Sequence, residues 1–515
     1  MTPSYEKVTP AERIVITIIV MVGAFIAILD TTIVDVVVPK MMAPLSTDLY
    51  GVQWVITSYM TAAAVGLLLV ASLGTSYGFS KIFILGIAIF TISSAACASA
   101  SSLAEMIVFR SLQGIGEAFI MGSAQTILFA AYPPERHGLA MGIFALGVSF
   151  APALGPTAGG FLTEHFSWRY VFWINVPIGT LNFIAALFFL RELMPYTKKL
   201  VFNFISYFWL ATASISLLIM LSKGQQHGWF QSTFIGVLAF LSAISLCLYF
   251  ISEIKSKTPL IDFSIYKIPE FSLTMGFHFF VLGFAMYQIF YLLPLYYERL
   301  KGLPTFDTGL HMLAFAGFIG VFSIISGILS DKISPVKILF FSFILLCICS
   351  LFLLPKLNYW LPAKKAAILT IPFGIALGTF FAPMAALALR PLGDKAGLGV
   401  AQMNYQRFIG GSFGTALATN TLEKRASFHF QEADSLQSVN YANMFIEKTA
   451  HKLEAFFSEP LATLKAKAML YKWQELMAYS LAFQDTFRYT FYYAAIGGLF
   501  LLALAYHQRF NRRPK

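Results

Sequence analysis

The sequence predicts an all-α integral membrane protein of fourteen transmembrane helices, with both ends on the cytoplasmic side. Three observations predict it. Of 515 residues, 58% are hydrophobic and only 12% are charged, half the roughly 25% charge that covers a water-facing domain. Apolar runs of about 20 residues, the length that crosses a bilayer, recur along the chain. Lysines and arginines gather in alternate connections between those runs.

The runs fall near 14–38, 52–71, 82–100, 106–131, 139–162, 170–190, 201–222, 232–252, 271–296, 309–330, 338–355, 366–389, 399–420 and 488–508. In lipid each segment must satisfy its own backbone hydrogen bonds, so these are helices. The first, at about 25 residues, is too long for a signal-peptide core and no small-residue cleavage site follows it. With the N-terminus inside, cytoplasmic connections and tails hold about 18 Lys and Arg, among them Arg191, Lys255, Lys332 and Arg509, against about eight in the short outer connections. That asymmetry sets the orientation and accounts for the net charge of +11 without a nucleic-acid partner.

One connection differs. Thr421 to Arg488 is a long, mixed-charge outer segment. Its second half spaces Leu464, Met469, Trp473, Leu476, Met477 and Leu481 as an amphipathic helix does. Helices there would lengthen the final span beyond the membrane, either packing on their own protein or offering a docking surface to an envelope partner.

Several chemistries are excluded. Cys97, Cys247, Cys347 and Cys349 all lie in apolar runs, which argues against a disulfide framework or a zinc site. Gly74-Thr75-Ser76-Tyr77-Gly78 imitates a nucleophile elbow, but that motif needs a strand-to-helix turn and this one joins two membrane helices. No phosphate-binding loop, HExxH pair or dinucleotide fingerprint occurs. The expectation is therefore a protein that is not an enzyme, with no metal or cofactor.

The spans carry patterned polar residues. Leu29-Asp30-Thr31-Thr32-Ile33-Val34-Asp35 lies in the first, and Arg110-Ser111-Leu112-Gln113-Gly114-Ile115-Gly116-Glu117 in the fourth. Seven residues separate Arg110 from Glu117, which puts both on one helix face. The fifth holds Gly147, Pro152, Gly155, Pro156, Gly159 and Gly160. Trp168-Arg169 leads to Asn175-Val176-Pro177-Ile178-Gly179 in the sixth, and Asn404, Arg407 and Gly410-Gly411-Ser412-Phe413-Gly414 come late.

Together these motifs resemble the major facilitator superfamily, specifically its fourteen-span drug:proton antiporters of the EmrB/QacA type, in order from Leu29 to Ala416. The resemblance implies two six-helix bundles around a central cavity: residues 1–195, then two additional spans and a linker over 196–262, then 263–515 with a long periplasmic loop near 421–487. It implies a bacterial inner-membrane exporter of small amphipathic or lipophilic compounds, driven by the proton gradient. The Gly-Pro run of the fifth span is similar to the family's antiporter motif. The long outer segment is similar to the EmrB branch, which implies a periplasmic adaptor and an outer-membrane channel as partners. A dedicated metabolite or siderophore exporter of the same fold, or a non-transporting receptor or scaffold, are the alternatives.

Departures from the family pattern matter too. The loop between spans two and three has Thr75 where the family carries Asp, and lacks its arginines, which puts a cytoplasmic latch in doubt. The matching loop of the second half keeps Asp331 and Lys332. Asp35 stands where Asn is usual.

A mid-membrane carboxylate costs about 2.5–3.5 kcal/mol, so it needs a cavity, a partner or a proton. By helix rise Glu117 lies about 18 Å below the outer end of its span. The proton-coupling candidates are Glu117, Asp30 and Asp35, with Arg110 and Arg407 as charge partners. Arg110 either pairs with Asp30 as a structural clamp or alternates between Asp30 and Glu117. Trp54, Tyr59, Met121, Phe284, Tyr287 and Phe381, with the polar Gln113 and Asn404, are the cavity candidates, since Met and aromatic surfaces repack around varied ligands. His278 and His311 are expected to be satisfied core histidines.

Overall fold

The computed structural model describes residues 4–193, 196, 202–256, 258–436 and 439–511. Among them there is no strand. The chain runs through α1 (Pro10–Met41), α2 (Trp54–Tyr77), α3 (Phe79–Ser99), α4 (Leu103–Ala131), α5 (His137–His165) and α6 (Tyr170–Phe189). Next come α7 (Phe204–Lys223) and α8 (Thr233–Lys255), then α9 (Pro269–Leu300), α10 (Thr305–Lys332) and α11 (Pro335–Lys356). The last are α12 (Ala363–Leu389), α13 (Ala396–Leu436), α14 (Val439–Leu453) and α15 (Glu459–Asn511).

Local signals place the helix starts. Thr9 and Glu12 form a reciprocal capping box before α1, Ser102 caps α4, and Asn203 caps α7. Thirteen segments are long and apolar enough to cross a membrane among the described residues. The twelfth, Ala363–Ala433, comprises α12 and most of α13. The two helices part at Arg390–Lys395, where Gly393 leaves helical geometry with φ +53°.

Helix burial separates an inner ring from an outer one. In α4 89% of the most apolar window is buried, whereas in α8 only 17% is. The exposed residues on outer helices are large and apolar, such as Phe188, Phe240 and Ile254, as a lipid-facing surface requires. α7 and α8 pack on each other beside both bundles. Thr57 of α2 meets Ser222 of α7 at 2.9 Å, and Ser214 of α7 meets Tyr405 of α13 at 2.7 Å.

α5 carries the join between the bundles, lying against α1 on one side and α10 on the other. Its small residues permit that, as they do between membrane helices. A Cβ on Gly147 would overlap Met21, one on Gly155 would overlap Thr32, and one on Gly160 would press on Phe306. Gly159, Pro152 and Pro156 stand within the same helix, which continues through both prolines.

The long connection expected near 421–487 is largely helical. α13 continues to Leu436, α14 folds back along the start of α15, and Ala450, Ala462 and Ala466 form the small core between them. α15 has 53 residues, about 80 Å by helix rise, against about 30 Å of hydrocarbon. The extensions of α13 and α15 are clamped by Asp485, which pairs with Arg425 at 2.6 Å and His429 at 2.8 Å.

Candidate functional site

The charged centre of the first bundle is built by five helices. Asp30 on α1 and Arg110 on α4 are 0% and 1% exposed and form an ion pair at 2.5 Å. Arg110 Nη1 also donates to Gln113 Oε1 at 2.8 Å, and its Nε donates to the Val55 carbonyl at 3.3 Å. Gln113 Nε2 and Asn175 Nδ2 donate to the second Asp30 oxygen at 2.9 and 2.7 Å. Asn175 reaches on to Ser94 of α3 at 3.2 Å. The Tyr59 ring covers the guanidinium, with the Arg110 carbon 3.9 Å from its centroid. That approach depends on Gly114, since a Cβ there would overlap the Tyr59 carbonyl oxygen.

Both oxygens of Asp30 are therefore occupied, as a buried ion pair requires if its attraction is to offset desolvation. The geometry favours the clamp over an arginine that alternates. Gln113, expected at the cavity, is a member of this network instead, because its amide supplies both a donor to Asp30 and an acceptor to Arg110.

Glu117 is different. It lies two turns along α4 from Arg110 and is 2% exposed, yet its Oε2 has no hydrogen-bond partner. The charges and dipoles that act on it are those of Arg407, Tyr59, Asp30 and Arg110. Arg407 comes from α13, so the second bundle supplies the cation whose field acts most strongly on Glu117. Asp35, in the last turns of α1, has a side chain outside the described residues.

A small cavity lies between the bundles, lined by Gln125, Met141, Phe144, His278, Phe381, Met403, Asn404 and Arg407, among others. Phe381 and Asn404 are cavity candidates of the sequence, and Arg407, expected as a charge partner, joins them there. Asn404 Nδ2 donates across the bundles to Gln125 Oε1 at 3.3 Å. His278 is not the satisfied core histidine expected: it faces the cavity, 3% exposed, and its Nδ1 has no partner. His311 does bond, from Nδ1 to the Asp307 carbonyl at 2.7 Å.

Other cavity candidates stand elsewhere. Trp54 lines a separate peripheral pocket with Lys223 and Phe234, because it occupies the first turn of α2, facing α7 and α8. Phe284 is engaged in the second bundle, stacked on Phe413 at 5.4 Å and tilted against Tyr493 at 5.8 Å. Met121 is fully buried in the core one turn beyond Glu117. Tyr287 packs on Gly411 and feels the charges of Arg407 and Glu117.

At the α10 end of the bundle join, Asp331 accepts the backbone N–H groups of Gly138 and Leu139 at 2.8 and 2.9 Å and pairs with Arg390. Lys332 is exposed. In the first half Thr75 does not replace the missing acid; its hydroxyl bonds back to Ala71 in its own helix at 2.8 Å. The acid comes instead from Glu192, which accepts the N–H groups of Phe79 and Ser80 at 3.2 and 3.0 Å and so caps α3. Phe79 then wedges between Gly74 and Gly397 of the second bundle.

Two bundles joined along α5 and α10, an additional helix pair, a buried ion pair and an interbundle cavity lined by Arg407 form an architecture shared with known proteins. The family model described as Major Facilitator Superfamily matches residues 20–415. The chain belongs to the major facilitator superfamily. It is a multi-pass membrane transporter and not an enzyme. This superfamily member is 28% identical over 446 residues to the multidrug export protein EmrB of Escherichia coli (strain K12), covering 86% of each chain. It is 29% identical over 428 residues to the methylenomycin A resistance protein of Bacillus subtilis (strain 168), covering 83% of this chain and 91% of that protein. A solved structure of the proton:xylose symporter XylE aligns with TM-score 0.57 and 12% identity, over 92% of this chain and 98% of that one. At that identity the likeness is one of fold.

Proposed function

We propose that this transporter exports small amphipathic or lipophilic compounds in exchange for protons, by alternating access of the interbundle cavity. The observation that carries the reading is the unpartnered Oε2 of Glu117, buried on the helix that also carries Arg110, the ion-pair partner of Asp30. A carboxylate with a free oxygen in low dielectric is stabilised by a proton, and an approaching cation favours its release. Arg407, borne by the other bundle, is that cation. Bundle movement then changes the distance between them, and with it the affinity for the proton. Asp30 is a positioning residue in this scheme, holding α1, α4 and α6 in register through Arg110 and Asn175.

The energetics suffice. One proton moving down about 100 mV supplies roughly 2.3 kcal/mol, and 1.4 kcal/mol is tenfold, so a neutral substrate can be concentrated about fortyfold. The export direction and amphipathic substrates are supported by the relatives that bear multidrug-export and antibiotic-resistance names. Fourteen crossings, α1 to α13 and α15, with both termini inside, are supported by the Lys and Arg asymmetry. In a bacterial inner membrane that orientation places the extensions of α13 and α15, with α14, in the periplasm, as a surface for an adaptor that leads to an outer-membrane channel. Deleting 435–459 should then abolish co-purification with a co-expressed adaptor, and unchanged capture removes the adaptor from the proposal.

Proton release from acidified inverted vesicles, challenged with lipophilic dyes and weak acids, tests the coupling. Wild type should release protons with some compounds and Glu117→Gln with none. Equal responses would show that Glu117 is not the carrier.

A further inference from the structure

Away from the cavity, an open pocket lies between the start of α2 and the adjoining ends of α7 and α8, lined by Tyr50, Trp54, Lys223, Gln226, His227 and Phe234. Lys223 is the one lysine in the buried class among the described residues, at 2% exposure. Its immediate neighbours cover it, though it stands at the periphery of the protein. Nζ donates to the Tyr50 carbonyl at 3.0 Å and to Gln53 Oε1 at 3.1 Å, and lies 5.5 Å over the Trp54 ring. All three partners are neutral, and the ammonium has a third N–H. The carboxylate whose field reaches Lys223 is that of Asp48, with which it forms no ion pair. A covered cation at a membrane edge without a paired anion is costly unless an anion joins it.

The apolar side of the pocket has a direction. Phe234, Val237 and Leu241 are 43%, 58% and 38% exposed. Spaced three and four residues apart, they form one stripe along α8, which leads from the pocket toward the middle of the bilayer. Head site and stripe are contiguous through Phe234, which belongs to both.

We propose that this pocket binds an anionic amphiphile from the adjoining leaflet, its phosphate or carboxylate on Lys223 and its chain along Phe234, Val237 and Leu241. On the orientation proposed above this is the outer leaflet, and the site is independent of proton coupling through Glu117. A resident phospholipid and a free fatty acid share this chemistry.

The test is native mass spectrometry of the full-length protein in neutral detergent, titrated with dioleoyl phosphatidylglycerol, dioleoyl phosphatidylcholine, oleate and inorganic phosphate. One anionic amphiphile should bind about fivefold more tightly than phosphatidylcholine, the effect of one lysine at a membrane surface. Lys223→Met should erase that preference and Lys223→Arg should keep it. Preference for phosphatidylglycerol alone identifies a resident lipid, and equal preference for oleate a free amphiphile; either supports the proposal. It is overturned if wild type shows no preference, if Lys223→Met retains it, or if inorganic phosphate alone displaces the lipid.

Discussion

Asp331 of the second bundle accepts the backbone N–H of Gly138 in the first at 2.8 Å. A carboxylate on the first turn of a helix meets the positive end of its dipole and N–H groups without intrahelical partners. Here the acid and the helix belong to different halves, so the bond exists only while that end of the interbundle seam is closed. Arg390, just past the end of α12, braces Asp331, and Gly138 must be glycine because a Cβ would overlap the Gly327 carbonyl oxygen.

Asp331→Asn keeps an acceptor but loses the charge that both the helix end and Arg390 use. The closed seam should weaken by about 1–3 kcal/mol, exposing the cavity more often from that side. Maleimide labelling of a cysteine introduced at Gln125 should rise, relative to the same protein without it, while export slows. Unchanged labelling would show that the cap does not govern closure.

Asp30→Asn and Glu117→Gln should separate stability from coupling. Removing the Asp30 charge leaves Arg110 buried without its counter-ion, a loss of about 3–5 kcal/mol. A lower unfolding temperature in detergent and a poorer yield are the expected readouts. Glu117→Gln removes no salt bridge and should unfold within a few degrees of wild type, yet lose substrate-driven proton release. Equal destabilisation by the two variants would contradict the assignment.

Much of this was legible in the sequence because depth in a membrane helix follows from residue count. Asp30 and Arg110 were read as a pair across two spans, and they meet. Depth does not give azimuth, however. Trp54 and Phe284 were placed in the cavity on residue type alone, and they face the additional helix pair and the interior of the second bundle. Asn175 was visible as part of a motif, but nothing in one sequence said that its amide reaches Asp30. The replacement of the first-half acid was hidden more thoroughly. Glu192 lies 113 residues beyond Phe79, so no reading of the loop around Thr75 could have found it.

That replacement gives a third prediction. Glu192→Ala strips the cap from two N–H groups at the start of α3 and should cost about 1 kcal/mol. Thr75→Ala removes only a bond within its own helix and should stay within about 0.5 kcal/mol. Thermal unfolding of the two variants in parallel checks the ordering, and a larger effect of Thr75→Ala would return the latch to the loop itself.

Gly114 and Gly317 provide an internal comparison for the last prediction. Both sit inside helices, where alanine is intrinsically better than glycine by about 1 kcal/mol. At Gly317 nothing lies within 4 Å of the position a Cβ would take, so Gly317→Ala should be neutral or slightly stabilising. At Gly114 the added carbon would meet the Tyr59 carbonyl oxygen and the Ala63 backbone, and backbone cannot rotate aside as a side chain can. α4 would have to withdraw from α2, lengthening the Arg110 bond to the Val55 carbonyl and lifting the guanidinium from the Tyr59 ring. Overpacking of this kind typically costs about 1–3 kcal/mol. The expected result is a lower unfolding temperature for Gly114→Ala alone, with proton release impaired in step, because the withdrawn segment carries both Arg110 and Glu117. If the two variants behaved alike, close approach of α4 to α2 would not be what holds the charged centre together.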